Sequence, residues 1–286
     1  MKGLGLLVLM ILLTGLSGCS PEPAEAAAPG NPTNQTRFYQ PALFVKTLSG
    51  EEETLEGVKG IIVPHHLTAS AMIHRTFNLI RNEPYETVII LGPDHYRENH
   101  KQIATGKRDW ETDFGRLAVS PLGEVLAQRM PLVRLADDDL EKEHSVGALI
   151  PYVAYYFPQA NVLPVTFSTS LSLEDTLDFA EDLLELTADG QGLLVASVDF
   201  SHGLSYEAAR AMDLKTRKMI DRMEYKRLNY LGNDSLDSPE TLMVFLWIME
   251  NLGAGGRLLE ASNSSEVLGI RGESTTGYMT YLFQSQ

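Results

Sequence analysis

The chain predicts an α/β domain in which a mixed, mainly parallel sheet lies between helices on both faces. Three observations carry that expectation. Short apolar, β-branched runs alternate with longer segments of helical period, the pattern that crossover helices impose on parallel strands. The run Gly192 to Ser197 (GLLVAS) is apolar on successive residues, as a strand covered on both faces must be. Finally, about 250 residues follow a single Pro-rich stretch with no second linker, which suits one large domain.

In chain order, strands are expected over Val58 to Val63 (VKGIIV), Thr87 to Leu91 (TVIIL), Val162 to Thr166 (VLPVT) and Gly192 to Ser197. Arg257 to Ala261 and Thr276 to Phe283 close the sheet. Helices fit Thr68 to Arg81, with Met72, Thr76 and Leu79 or Ile80 on one face, and then Val146 to Phe157, Leu173 to Leu186 and Tyr206 to Met223. A last helix, Pro239 to Leu252, opens on proline behind Asp237 and Ser238, both capping residue types. No internal repeat is present.

Ahead of this domain, residues 1–18 read as a signal peptide. Lys2 gives a positive start, and Leu4 to Leu13 (LGLLVLMILL) is too short to span a bilayer. The run ends in Leu16-Ser17-Gly18-Cys19, which resembles the bacterial lipobox, so Cys19 is expected to carry the lipid of an exported, membrane-anchored lipoprotein. The segment 19–37 is proline-rich, lacks large apolar residues before Phe38 and reads as a flexible tether, leaving 38–286 as the domain. A net charge of −15 and a pI of about 4.9 exclude nucleic acid and a polybasic membrane face, both of which need cations. Cys19 is the only cysteine, so the domain has neither a disulfide nor a thiolate ligand or nucleophile of its own.

Seven histidines stand at 65, 66, 74, 95, 100, 144 and 202. His65, His95 and His202 each follow a predicted strand within a few residues. In an open α/β sheet the crevice beyond the carboxyl ends of the strands is where ligands bind, so these three are expected to converge. Neutral imidazole is both the commonest metal ligand and the usual general base near neutral pH.

The same segments carry a family resemblance. Val63-Pro64-His65, Ile89 to His95 (IILGPDH), Trp110-Glu111-Thr112 with Gly115, Glu143-His144-Ser145 with Leu149 to Tyr152, and Ser197 to His202 (SVDFSH) lie in register with Memo-like proteins. In particular the chain resembles the AmmeMemoRadiSam system protein B group, whose fold is similar to the B subunit of class III extradiol dioxygenases. The resemblance implies that His65 and His95 bind a metal and that His202, with His144 in the same cleft, serves as acid or base. Asp199 is then either a partner fixing an imidazole tautomer or a turn aspartate. The family's third ligand is a cysteine, and alignment on Pro239 puts Ser235 there; Asp234 or Asp237 could refill the position, Asp237 having a rival role as helix cap. Glu143 is placed on the rim and His74 and His100 at the surface, while His66, where the family usually has a small residue, is either an extra polar contact or a surface residue.

Two histidines and a carboxylate form the open face that suits non-haem Fe(II), with copper or zinc as alternatives. The resemblance thus implies dioxygenase-like oxidoreductase chemistry on an unidentified small molecule, with metal-assisted hydrolysis as the enzymatic rival. A lipoprotein that only binds metal or peptide is the non-catalytic alternative. A serine hydrolase is disfavoured because no Gly-X-Ser-X-Gly elbow exists. The group's name implies functional partners with an AMMECR-like domain and a radical SAM enzyme.

Overall fold

Alternation along the central strands sends one set of apolar side chains to each face of a sheet, and each set meets its own layer of helices. The computed structural model describes residues 32–50, 53–96, 101–169, 171–187, 191–270, 272 and 274–285. The expected signal peptide, Cys19, most of the tether and His100 lie outside these residues.

Eight strands form the main sheet: β1 (Val58–Val63), β2 (Thr87–Pro93), β3 (Ile103–Thr105), β4 (Val133–Leu135), β5 (Asn161–Phe167), β6 (Gly192–Ser197), β7 (Ala254–Asn263) and β8 (Gly277–Ser285). Their spatial order is β7-β8-β1-β6-β2-β5-β3-β4. The four central strands β1, β6, β2 and β5 are parallel neighbours. On one side β8 and then β7 pair antiparallel, and on the other β3 is antiparallel to β5 and parallel to β4. The expected architecture is thus observed: a mixed sheet with a parallel centre, flanked by helices on both faces.

Helices of seven residues or more are α1 (Pro41–Thr47), α2 (Ser70–Leu79), α3 (Leu122–Arg129), α4 (Ile150–Tyr156), α5 (Leu173–Leu186), α6 (Tyr206–Asp221) and α7 (Pro239–Asn251). Register decides which layer each strand residue serves. Ile61, Val195 and Ile90 are aligned across the sheet and pack with Ile73 and Phe77 of α2 and Tyr152 and Val153 of α4. Their neighbours Ile62, Ala196, Leu91 and Val165 face the other way, onto Phe179 and Leu183 of α5, Ile220 of α6 and Phe245 of α7. Slipping any of these strands by one residue would exchange the two sets, so the apolar pattern fixes the register.

Departures from the expected elements have local causes. The helix expected over Val146 to Phe157 is two, His144–Gly147 and α4, because Pro151 lacks an N–H and belongs in a first turn. Strands β3 and β4, of three residues each, are too short to show a period. Asn34–Gln35, expected within the tether, instead pairs in parallel with Trp110–Thr112, so the ordered chain begins earlier than residue 38. Ser238, not Asp237, caps α7 by accepting from Thr241 N–H.

One buried acid gives a pH prediction. Glu240, in the first turn of α7, is 6% exposed, and its Oε2 has no hydrogen-bond partner. Burial pushes its carboxyl up to about 7. The folded state therefore prefers the protonated form, and the stability present below the unfolded value of 4.5 is lost as pH rises through about 7. Glu240→Gln removes the charge at constant shape and should stabilise the protein by about 3 kcal/mol at pH 8 but hardly at pH 4.5. Urea unfolding at the two pH values checks this; equal gains at both would contradict it.

Candidate metal centre

Each parallel strand ends at the same edge, and the loops that follow deliver the polar side chains. β1 leads to His65, β2 to Asp94 and His95, and β6 to Asp199 and His202. The turn before α4 brings in Glu143, His144 and Ser145, and the residue two before α7 is Asp237. The crevice rule thus places the histidines as the sequence anticipates.

His65 is the hub. It is 3% exposed, and its ring stands nearly perpendicular to those of His95 and His144, with centroids 5.3 and 5.0 Å away. Its Nδ1 lies 3.3 Å from the Ser197 hydroxyl, which donates in a short hydrogen bond to the Ser145 carbonyl. A hydroxyl has one proton, so Ser197 accepts from Nδ1–H, and the His65 Nε2 lone pair is left free. That Nε2 faces two buried carboxylates, 3.3 Å from Asp237 Oδ2 and 3.8 Å from Asp199 Oδ2.

Asp199 and Asp237 interlock two loops. Asp199 N–H donates to Asp237 Oδ2 at 2.9 Å and Asp237 N–H to the Asp199 carbonyl at 3.2 Å, while Asp199 Oδ1 accepts from His65 N–H at 3.3 Å. Asp237 Oδ1 is buried and has no hydrogen-bond partner among the described residues. Burial raises the Asp199 carboxyl to about 7 and, with the Asp199 charge beside it, raises Asp237 well above the carboxylate range. Burial also lowers the His65 imidazole well below its ordinary value, with His95 and His144 adding to the effect. This is a cluster that lacks a positive charge and contains donors for one.

His95 and His144 form the opposite wall. Their rings stack at 4.1 Å and 22°. Glu143, expected on the rim, is instead 2% exposed and lies under both. Its Oε1 accepts from His95 Nδ1–H at 2.8 Å and from Ser145 N–H at 2.9 Å, lies 3.3 Å from His144 Nδ1, and its Oε2 accepts from His95 N–H at 2.8 Å. Burial alone would raise the Glu143 carboxyl, but the His95 bond and charge, then Ser145 N–H and His144, outweigh it and hold the group low.

Ligand atoms group in two ways, His65–His95–His144 and His65–Asp199–Asp237, each set within 4.8 Å of one another. Imidazole lone pairs lie in the ring plane, so stacked His95 and His144 rings do not aim both at one ion. His65 is common to both groups: its Nε2 lies beside Asp237 Oδ2 and Asp199 Oδ2 on one side, and His95 stands on the other. Of the two sequence candidates for a carboxylate ligand, Asp237 is brought to the group and Asp234 is not: it is exposed, and its side chain accepts from Ser235 Oγ at 3.1 Å.

His202 borders the crevice with its Nδ1 buried and unpartnered; burial lowers its imidazole below the ordinary value. His66 is exposed and hydrogen-bonds Tyr278 OH through Nδ1 at 2.6 Å. His74, expected at the surface, is fully buried against Phe44 and Tyr152 because its helix face turns inward beside Ile73 and Phe77. Ser145, Ser197 and Glu143 were not assigned site roles from the sequence. The available signals were their positions, next to His144 or at the last residue of a strand. A groove of about 600 Å³ lies between α6 and β7, lined in part by Tyr278, the partner of His66; its Arg210 and Arg217 pair with Glu266 and Asp221.

Among the described residues no helix is long and apolar enough to cross a membrane. Comparison with known proteins agrees with the geometry. The family model described as "Memo-like protein" matches residues 35–282. A MEMO1 family protein of Aquifex aeolicus is 28% identical over 259 residues, covering 84% of this chain and 67% of its own length. Another from Caldivirga maquilingensis is 24% identical, covering 83% and 87%. The solved structure of the uncharacterized protein JW3007 from Escherichia coli K12 shares the fold at a TM-score of 0.50 and 13% identity, over 80% of this chain and all of that one.

Proposed function

Because the chain belongs to the Memo-like family, we propose that it holds a divalent metal ion on His65, His95 and Asp237, beside Asp199, at the carboxyl edge of its parallel strands. The observation that carries this reading is the buried Asp237 carboxyl, whose Oδ2 lies 3.3 Å from His65 Nε2 while its Oδ1 has no hydrogen-bond partner among the described residues. With no cysteine in the domain, the donors are nitrogen and oxygen alone, a set that suits Fe(II) and also accepts copper or zinc. When bound, such an ion supplies Lewis acidity and, as iron, non-haem redox chemistry.

The remaining side chains fit a reaction on a small molecule. His202 and His144 border the same crevice, and their lowered basicity keeps them neutral and able to take a proton near pH 7. Asp199 orients the His65 backbone and lends charge to the ion's surroundings. This arrangement favours dioxygenase-like oxidoreductase activity of the AmmeMemoRadiSam system B type, with AMMECR-like and radical SAM proteins as functional partners. The lipobox supports export and anchoring through Cys19; in cells, wild type should fractionate with membranes and Cys19→Ala should not.

Metal analysis of the purified full chain tests the centre. Wild type is expected to carry close to one ion per chain, and His65→Ala/His95→Ala at least tenfold less. Equally low iron, copper and zinc in both would sink the proposal. Oxygen uptake with a panel of catechols then tests the oxygenase branch.

A further inference from the structure

Three imidazoles converge on this crevice, and the polar contacts of their Nδ1 atoms, hydrogen bonds for His65 and His95 and a 3.3 Å approach to Glu143 for His144, all run back to one turn. Glu143 Oε1 takes His95 Nδ1–H and faces His144 Nδ1. Two residues on, the Ser145 carbonyl takes the Ser197 hydroxyl proton, which obliges Ser197 to accept from His65 Nδ1–H. We propose that the turn Glu143-His144-Ser145 acts as one positioning device, fixing His65, His95 and His144 as Nδ1–H tautomers so that every Nε2 lone pair is turned away from the turn. The consequence drawn for metal affinity rests on the metal reading above; the tautomer assignment does not.

The turn is built to be rigid. Ser145 Oγ donates to the Pro93 carbonyl at 2.7 Å, tying it to the end of β2 just before His95. Gly92 permits that approach, since a Cβ there would lie 2.8 Å from Ser145 Oγ. Ser145 is fully buried and Glu143 is 2% exposed, so water does not compete for these bonds. An alternative tautomer at His95 would set a bare nitrogen against a carboxylate, with no proton between two acceptors. At His65 it would leave Nδ1 facing a hydroxyl whose proton is already committed and would gain no bond in exchange, because the 3.3 Å approach of Nε2 to Asp237 Oδ2 does not have hydrogen-bond geometry. Glu143 and Ser197 are thus positioning residues with separate clients: Glu143 serves His95 and His144, and Ser197 serves His65.

That separation is the basis of the test. In ¹⁵N–¹H correlation spectra of the full chain, metal-free and zinc-loaded, all three histidines should show protonated Nδ1 and unprotonated Nε2. Glu143→Gln should change the pattern of His95 and His144 and leave His65 alone. Ser197→Ala should change His65 alone, and Ser197→Thr should restore it. Zinc affinity should fall about 10- to 100-fold in Glu143→Gln and in Ser197→Ala, the usual range for losing a partner of a ligating histidine. The proposal is overturned if wild type shows an Nε2–H tautomer at any of the three, an outcome that needs no variant to fold. It is also overturned if either substitution leaves its clients unchanged or disturbs all three rings alike. A wild type with the expected tautomers but no zinc affinity would instead refute the metal reading and leave the positioning role standing.

Discussion

In the Asp237→Asn protein, metal affinity is expected to fall roughly a hundredfold, about 2.8 kcal/mol at 1.4 kcal/mol per factor of ten, whereas Asp234→Asn should bind as wild type does. Both residues precede α7 in the same short stretch, yet only Asp237 lies in the buried cluster with His65. The amide keeps an oxygen to accept Asp199 N–H, so the interlock of the two loops survives and the loss reports on the missing negative charge. Competition of the full chain with a chromophoric chelator for zinc measures the two affinities. A loss in Asp234→Asn with Asp237→Asn unaffected would move the ligand to the exposed side of the stretch.

Phe245→Ala is expected to destabilise the fold by about 3 to 5 kcal/mol, the range for truncating a large core aromatic. Phe245 is fully buried in α7, and its ring meets Phe283 of β8 edge-on at 4.9 Å. It also lies over Gly60 of β1, where a Cβ would come within 2.8 Å of the Phe245 ring and of Met249 Sδ. The glycine removes a side chain so that the helix can sit close to the sheet, and neither partner can move in to fill a void. For a domain of this size each kcal/mol lowers Tm by about 2 to 4 °C, so a drop of roughly 10 °C is expected in thermal unfolding. A change under about 2 °C would show that the interface repacks.

The central sheet was legible because its strands carry their own burial. Gly192 to Ser197 reads as continuous apolar residues since both helical layers cover β6, and Leu173 to Leu186 matches α5 end to end because a capping box at Ser172 and Asp175 fixes its start. Short strands such as β3 owe their existence to pairing with β5 and have no signature of their own. In the candidate centre, histidine placement after strands was enough to gather His65, His95 and His202. What a linear reading cannot reveal is which way a side chain turns. Glu143 sits beside a half-buried histidine in the sequence yet is itself buried, and Asp234 and Asp237 belong to one short stretch in which the first side chain is exposed and the second buried. His74 is buried for the same reason, its polarity outweighed by the aromatic residues that surround it.

The carboxylates and imidazoles of the crevice are far apart along the chain. Asp199 lies 134 residues from its partner His65, Glu143 48 from His95, and Asp237 38 from Asp199. An ion held there would act as a further staple across segments that the sheet and the loop hydrogen bonds already bring together, and an unfolded chain could not assemble the same set. Binding and folding are then thermodynamically linked: at a free metal concentration one hundred times Kd, the native state gains about 2.7 kcal/mol. Resistance to heat or protease would rise with the available metal, and the abundance of this protein in a cell would follow the supply of its ion.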